Sequence, residues 1–383
     1  KMHLGLVMPN SPSFWAHVLA AWRLGGTAVP YNVREPANVI TSALKHVQAS
    51  LVILSNGRAD MTSNLELAGI PWAIAPYDAP YKTSLEVLDV YPGKEDTAVI
   101  FYTSGTGGKP KAVPLSHGSL YANALTCIEQ VEPIEEGDIL LNALPDSHVL
   151  GFSICGLLPL LLNLSQCMLS SFMPVKNTLE AIRSSETNVL VGVPMMYQFF
   201  ASALSQGASL PRRIKAVISG GDKFSVALDE VLERYIGVGV LEGYGLTEAS
   251  PVVAVNKSYS TRKLGTVGPA LPIVEIKVCN FDGEELPRGQ EGVLWIRGVS
   301  VAQAYFGDES LTSTFFKDGW FNTGDVVSID PDGYIKLHSR ESDVIMVGGF
   351  KVFPEEVEEV LLKHPAVKEV AVVGITQSMT GQI

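Results

Sequence analysis

The sequence predicts an α/β protein. Its large N-terminal domain has two helix-covered, mostly parallel sheets plus a small β-barrel, and the start of a small α+β C-terminal domain follows. Three observations predict it. Short apolar runs alternate with helical apolar periodicity as far as Gly243, the signature of parallel sheets covered by helices. After Leu264 the texture changes to short strands separated by turns. Near Ser342 it changes again, to a compact strand–helix–strand pattern. The expected division is 1–341 for the large domain, with 264–338 as its β-rich part, and 342–383 for a partial C-terminal domain; 383 residues exceed one ordinary domain.

In chain order, Leu4–Met8 reads as a strand, Ser13–Leu24 and Val39–Val47 as helices, and Leu51–Leu54 as a strand. Ala98–Tyr102 is a buried apolar strand, and Ser116 is placed to N-cap the next helix. Asp138–Ala143 follows as a strand. The uncharged stretch Val149–Val175 is broken by Gly151, Gly156, Pro159, Asn163, Ser165 and Gln166, so it reads as buried helix, turn and strand rather than a membrane span. Strands Asn188–Gly192, Ala216–Ser219 and Gly239–Gly243 then alternate with helices Met195–Leu204 and Val226–Tyr235. Glu275–Cys279 and Gly292–Arg297 are short strands flanking the turns at Asp282-Gly283 and Arg288-Gly289. Arg340–Asp343 reads as a hinge. Val344–Val347, a Gly348-Gly349 turn, helix Pro354–Lys363 with proline in its first turn, and strand Val370–Gly374 complete the pattern.

Composition narrows the function. A formal charge of −12, from 28 basic and 40 acidic residues, argues against a nucleic-acid surface. It leaves phosphate ligands open, because these need only local positive charge. The four cysteines form no C-x-x-C pair, so neither zinc nor a disulfide framework is expected, and reduced thiols suit a cytoplasmic protein. No signal peptide is legible at Lys1, and no transmembrane segment is expected. A peripheral membrane contact stays open.

The chemistry concentrates in a few strand-end segments. Tyr102-Thr103-Ser104-Gly105-Thr106-Gly107-Gly108-Lys109-Pro110-Lys111 follows a buried strand and is dense in glycine, hydroxyl and lysine. Glycines let backbone N–H groups approach an anion, hydroxyls add donors, and lysines add charge. The spacing is not a Walker loop, since Pro110 stands where that pattern needs glycine. Further along come Ser219-Gly220-Gly221-Asp222, Gly243-Tyr244-Gly245-Leu246-Thr247-Glu248, Trp320-Phe321-Asn322-Thr323-Gly324-Asp325 and Pro145-Asp146-Ser147-His148. Phe152, Leu157, Leu158 and Pro159 suit either an acyl-pocket wall or plain core.

Together these segments resemble the adenylate-forming (ANL) superfamily, most closely its bacterial long-chain acyl-CoA and acyl-ACP synthetases. The Tyr102–Lys111 loop resembles Y-T-S-G-T-T-G-x-P-K-G, with Gly107 for threonine and Ala112 for the last glycine. The resemblance implies ATP and Mg²⁺ as cofactors, with CoA or a phosphopantetheine thiol as co-substrate. It places phosphate contacts on Thr103, Ser104, Gly105, Thr106, Gly107, Gly108, Lys109 and Lys111. It places adenine beside Tyr244 and Gly245 and against Gly220, Gly221 and Asp222. Thr247 contacts phosphate and Glu248 holds the metal. Asp325 binds the ribose hydroxyls, Arg340 reaches ribose and begins the hinge, and His148 lines the acid site. Ser339 and Ser342 depart from the family's G-R-x-x-D and hinge pattern. Gly348-Gly349-Phe350-Lys351 resembles the loop that shapes the thiol tunnel.

Relative to the family the chain reads as truncated at both ends. The adenylation lysine of a P-x-[ST]-x-x-G-K segment does not occur within these residues, so nucleotide binding with slow adenylation is expected of the chain by itself. The implied reaction is ATP-dependent activation of a carboxylic acid, expected to be a fatty acid, with release of pyrophosphate and transfer to CoA or acyl carrier protein. An aryl or amino acid adenylating enzyme, and a nucleotide-binding module without full adenylation activity, are the alternatives.

Overall fold

Strand β1 (His3–Val7) lies at the middle of a six-stranded sheet with β2 (Thr27–Pro30), β3 (Leu51–Leu54), β4 (Trp72–Ile74), β5 (Thr97–Thr103) and β6 (Lys111–Ser116), in the order β4-β3-β1-β2-β5-β6. The protein is seen in a computed structural model that describes residues 1–75, 91–103, 110–211, 213–347, 350–364, 366–377 and 381–382. Every pairing in this sheet is parallel except the last. There β5 and β6 form an antiparallel hairpin with Thr103 opposite Lys111. A second six-stranded sheet holds β7 (Ile139–Asn142), β8 (Ser165–Met168), β9 (Val189–Gly192), β10 (Ala216–Ser219), β11 (Leu241–Gly245) and β12 (Val252–Val255). Its order is β12-β11-β10-β9-β7-β8, and only the β11–β12 pair is antiparallel.

Helices α1 (Pro12–Arg23), α2 (Ala37–His46), α3 (Thr62–Ala68), α4 (His117–Gln130), α5 (Leu158–Leu162), α6 (Val175–Ser184), α7 (Pro194–Ser205) and α8 (Val226–Ile236) cover these sheets. The reason α1 forms is plain in its residues. The Ser11 side chain caps it by accepting from Phe14 N, and Phe14, Trp15, Val18 and Ala21 make one buried stripe. That stripe belongs to the large core shared by both sheets, whereas Ile40 of α2 and Leu65 of α3 pack on the opposite face of the first sheet. A π-helical segment, Gly151–Leu157, fills the layer between the sheets. Its Phe152 meets Trp15, Phe14, Trp22 and Phe101, so this ring is core and not pocket wall.

The β-rich part is a five-stranded antiparallel sheet of β13 (Val274–Cys279), β14 (Gly292–Gly298), β15 (Phe316–Lys317), β16 (Trp320–Ile329) and β17 (Ile335–Arg340), which stands where the small barrel is expected. Helix α9 (Glu309–Phe315) leads into β15. Beyond a single 3₁₀ turn at Glu341–Asp343 come β18 (Ile345–Val347), β19 (Phe350–Val352), α10 (Pro354–Leu362), β20 (Thr376–Gln377) and β21 (Gly381–Gln382). Phe353, Val344 and Val326 pack together where this segment meets the larger sheet.

One expected strand is absent. Val370–Gly374 has no strand pairing, and Val372 N instead donates to Glu358 Oε1 at 2.8 Å. Val373 is 72% exposed; a β-branched run without a partner strand does not pair on propensity alone. No helix among the described residues is long and apolar enough to cross a membrane.

Candidate active site

The carboxyl ends of β9, β10 and β11 open onto a cavity of about 700 Å³, lined there by Val191, Ser219, Gly220 and Tyr244. Ligands of open α/β sheets bind at that edge, because loops diverge there and leave a crevice. The hairpin β5–β6 delivers Thr103 and Lys111 to the same cavity, the 3₁₀ turn Thr247–Ala249 delivers Thr247 and Glu248, and the end of β17 delivers Arg340.

Lys111 Nζ lies 3.7 Å from the centroid of the Phe315 ring and 5.3 Å from that of Tyr305. Desolvation lowers the Lys111 pKa; Glu248 opposes that fall and Arg340 adds to it. Glu248 is buried, its Oε1 accepting from the Tyr305 hydroxyl at 2.7 Å. Burial and the Glu248 charge hold that hydroxyl far above its ordinary pKa, so it stays a donor. Asp325 Oδ2 accepts from the Tyr244 hydroxyl at 2.5 Å and its Oδ1 meets Arg340 Nε at 3.0 Å. Burial raises the Asp325 pKa, while Arg340 and the Tyr244 hydrogen bond pull it back. The pair arises from register, since Asp325 stands opposite Arg340 in the β16–β17 ladder.

His148 faces the cavity from the turn before the π-helix. It is open to cavity solvent, yet the surrounding protein lowers its pKa below 6.5 through desolvation. Its Nδ1 accepts from Leu150 N at 3.3 Å, which assigns the proton of the neutral ring to Nε2. The turn is anchored by Asp146, which is buried and accepts from Trp15 Nε1 at 3.0 Å and Asn142 Nδ2 at 3.3 Å.

Of the residues singled out by sequence, Thr103, Lys111, His148, Gly220, Gly221, Tyr244, Gly245, Thr247, Glu248 and Arg340 line this one cavity. Asp325 sits immediately behind Tyr244 and Arg340. Asp222 does not line it: the residue is exposed, and its Oδ1 accepts from Lys223 N at 2.8 Å. Ser104, Gly105, Thr106, Gly107, Gly108 and Lys109, with Gly348 and Gly349, lie outside the described residues. Leu158 reaches the cavity, whereas Leu157 and Pro159 are buried away from it.

Sequence reasoning missed two groups. Tyr305 and Phe315 belong to no motif that was singled out. Part of the cavity lining is apolar, with Cys127, Ile128 and Val131 from α4 and its C-cap, Ile134 just beyond, and Val252 and Val255 from β12. The i, i+1, i+4 spacing of the α4 residues shows a buried helix face but not what it faces.

Residues 1–306 match the AMP-binding enzyme family. The chain belongs to that family. Residues 356–383 also match the C-terminal domain of AMP-binding enzymes. This AMP-binding enzyme is 28% identical over 382 residues to a feruloyl-CoA synthase of an Amycolatopsis species, an alignment covering 98% of this chain and 76% of that protein. It is 30% identical over 303 residues to a long-chain-fatty-acid–CoA ligase of Bacillus subtilis, covering 79% and 54% respectively. Among solved structures, ATP-bound MatB from Rhodopseudomonas palustris superposes with a TM-score of 0.90 at 28% identity, over 100% of this chain and 77% of that one. An o-succinylbenzoate CoA synthetase of Bacillus subtilis, in complex with ATP and a magnesium ion, gives 0.86 at 27% identity, over 100% and 78%.

Proposed function

We propose that this AMP-binding enzyme activates an apolar carboxylic acid with ATP, forming an acyl-adenylate and pyrophosphate, and then passes the acyl group to a thiol such as that of CoA or acyl carrier protein. One observation carries the reading. A single cavity is lined both by the cationic and hydroxyl side chains of Lys111, Thr247 and Arg340 and by apolar side chains of α4 and β12. A molecule bearing phosphates at one end and a hydrocarbon body at the other matches that lining.

The acid is already ionised near pH 7, so its oxygen attacks the α-phosphorus without a general base. The bond to pyrophosphate breaks as the new phosphorus–oxygen bond forms. Catalysis is then positioning and charge stabilisation. Lys111 supplies positive charge beside the phosphates, Thr247 supplies a hydroxyl, and neutral His148 offers its Nε2 proton to an oxygen of the acid. Asp325, held by Tyr244 and Arg340, accepts from the ribose. Thr247 and Glu248 offer oxygen donors only on one short turn, which suits a hard cation such as Mg²⁺. Bound there, the ion would neutralise phosphate charge. In the second step the thiol sulfur attacks the acyl carbon and AMP leaves. The division into a body at 1–341 and a C-terminal unit at 342–383 belongs to this reading, with the 341–343 turn as the joint.

Within the apolar class, the aliphatic part of the cavity lining favours a fatty acid. An aryl acid is the second reading, favoured by the feruloyl-CoA synthase that aligns over 98% of this chain. The test is acid-dependent ATP–pyrophosphate exchange by the protein that carries this chain, across acetate, amino acids, benzoate, ferulate and long-chain fatty acids. Exchange peaking with a fatty acid supports the first reading, and a peak with ferulate or benzoate supports the second. No exchange with any acid, despite ATP binding, leaves a nucleotide-binding module.

A further inference from the structure

We propose that Tyr305 is a positioning residue that fixes the orientation of the Glu248 carboxylate and couples it to the strand that carries Lys111. The proposal rests on reading Glu248 as the carboxylate that holds the metal.

The hydroxyl of Tyr305 donates to Glu248 Oε1 at 2.7 Å, and Tyr305 is 3% exposed. A glutamate turns freely about its last torsion unless something holds one oxygen. A donor on Oε1 selects one carboxylate plane and leaves the second oxygen for a ligand. The loop bearing Tyr305 is itself tied down on three sides. Ala302 N donates to Glu248 O at 2.7 Å, so the same glutamate is gripped at backbone and side chain. Phe306 N donates to Ala112 O at 2.8 Å, next to Lys111. Tyr305 N donates to Thr312 Oγ1 at 3.0 Å, on α9.

The ring completes the arrangement. It meets Phe315 edge-on at 6.0 Å and Phe316 at 5.5 Å, and Lys111 Nζ lies over the same aromatic pair, Phe315 and Tyr305. Tyr305 therefore touches the supports of both the cation and the carboxylate that would flank a polyphosphate. Groups that orient a metal-holding carboxylate change metal affinity by about 10- to 100-fold when removed. A residue that only filled space would not.

The experiment compares Tyr305→Phe and Glu248→Gln with the unaltered protein. Mn²⁺ is the probe, its binding in the presence of ATP read by electron paramagnetic resonance, and AMP affinity is measured without metal by calorimetry. Tyr305→Phe keeps the ring and its packing. The expected result is an Mn²⁺ dissociation constant raised about tenfold with AMP affinity essentially unchanged. Unchanged Mn²⁺ affinity in Tyr305→Phe, with a clear loss in Glu248→Gln, overturns the role of Tyr305 and leaves Glu248 as the metal-holding group. Unchanged Mn²⁺ affinity in both variants overturns the reading of Glu248 and the proposal with it. Equal losses of AMP and Mn²⁺ binding in Tyr305→Phe make the residue structural and also overturn the proposal.

Discussion

Burial raises the pKa of Asp325, and two neighbours oppose that rise. Arg340 contributes a charge at 3.0 Å and Tyr244 a hydrogen bond at 2.5 Å. Asp325→Asn keeps an acceptor for Tyr244 but loses the charged acceptor offered to a ribose. A hydrogen bond to a charged group contributes roughly 1.5–3 kcal/mol, so the AMP dissociation constant should rise by about tenfold or more. Calorimetric titration with AMP checks this, and an unchanged constant would remove Asp325 from the nucleotide site. The aspartate itself was legible, because W-F-N-T-G-D is a compact strand-end segment. Its clamp was not. Tyr244 lies 81 residues away in the chain, and nothing local in either segment states that they meet.

Two local features govern the elements that frame the cavity. Ser116 caps α4, its Oγ accepting from Ser119 N at 3.0 Å. Ser116→Ala should therefore cost about 1 kcal/mol of stability, seen as a lower urea midpoint with an unchanged slope. The π-helix depends on Gly156, where an added Cβ would lie 2.0 Å from the Trp15 indole. Gly156→Ala should destabilise by about 1–3 kcal/mol through overpacking. A variant as stable as the parent in urea would mean the indole can move aside. Sequence placed the helix after Ser116 because a cap is a local signal. It did not foresee that β5 turns back into β6 before that helix begins. Lys111–Ser116 instead pairs antiparallel with β5 as the outermost strand of the first sheet. Val370–Gly374 failed for the converse reason.

At the scale of the whole molecule, Asp146 connects the two sheets. It accepts from Trp15 on α1 and Asn142 on β7, and its backbone N donates to Asn10 Oδ1 at 2.8 Å. Burial pushes its pKa from 3.8 up to about 7 against those hydrogen bonds. The folded state therefore holds a proton that the unfolded chain releases. Stability from this group is present below about pH 4 and is lost as pH rises through about 7. The stability difference between the parent and Asp146→Asn should shift in the parent's disfavour between those values and stay level above them. Urea unfolding across that pH range checks it, and a constant difference would mean Asp146 is ionised throughout.

The sequence by itself determined the β–α alternation, the acidic charge that disfavours nucleic acid, and the strand-end segments that mark an adenylate-forming protein. Each is a local signal: a residue's chemistry and the backbone freedom of glycine next to a strand end are written within a few positions. Only the tertiary structure decided that Asp222 points to solvent and that Phe152 is core. It also decided that α4 and β12 furnish apolar lining to the cavity and that Tyr305 meets Glu248 across 57 residues. Periodicity tells which face of a helix is buried but not against what. Contacts between distant segments depend on how the two sheets and the third sheet pack around one crevice.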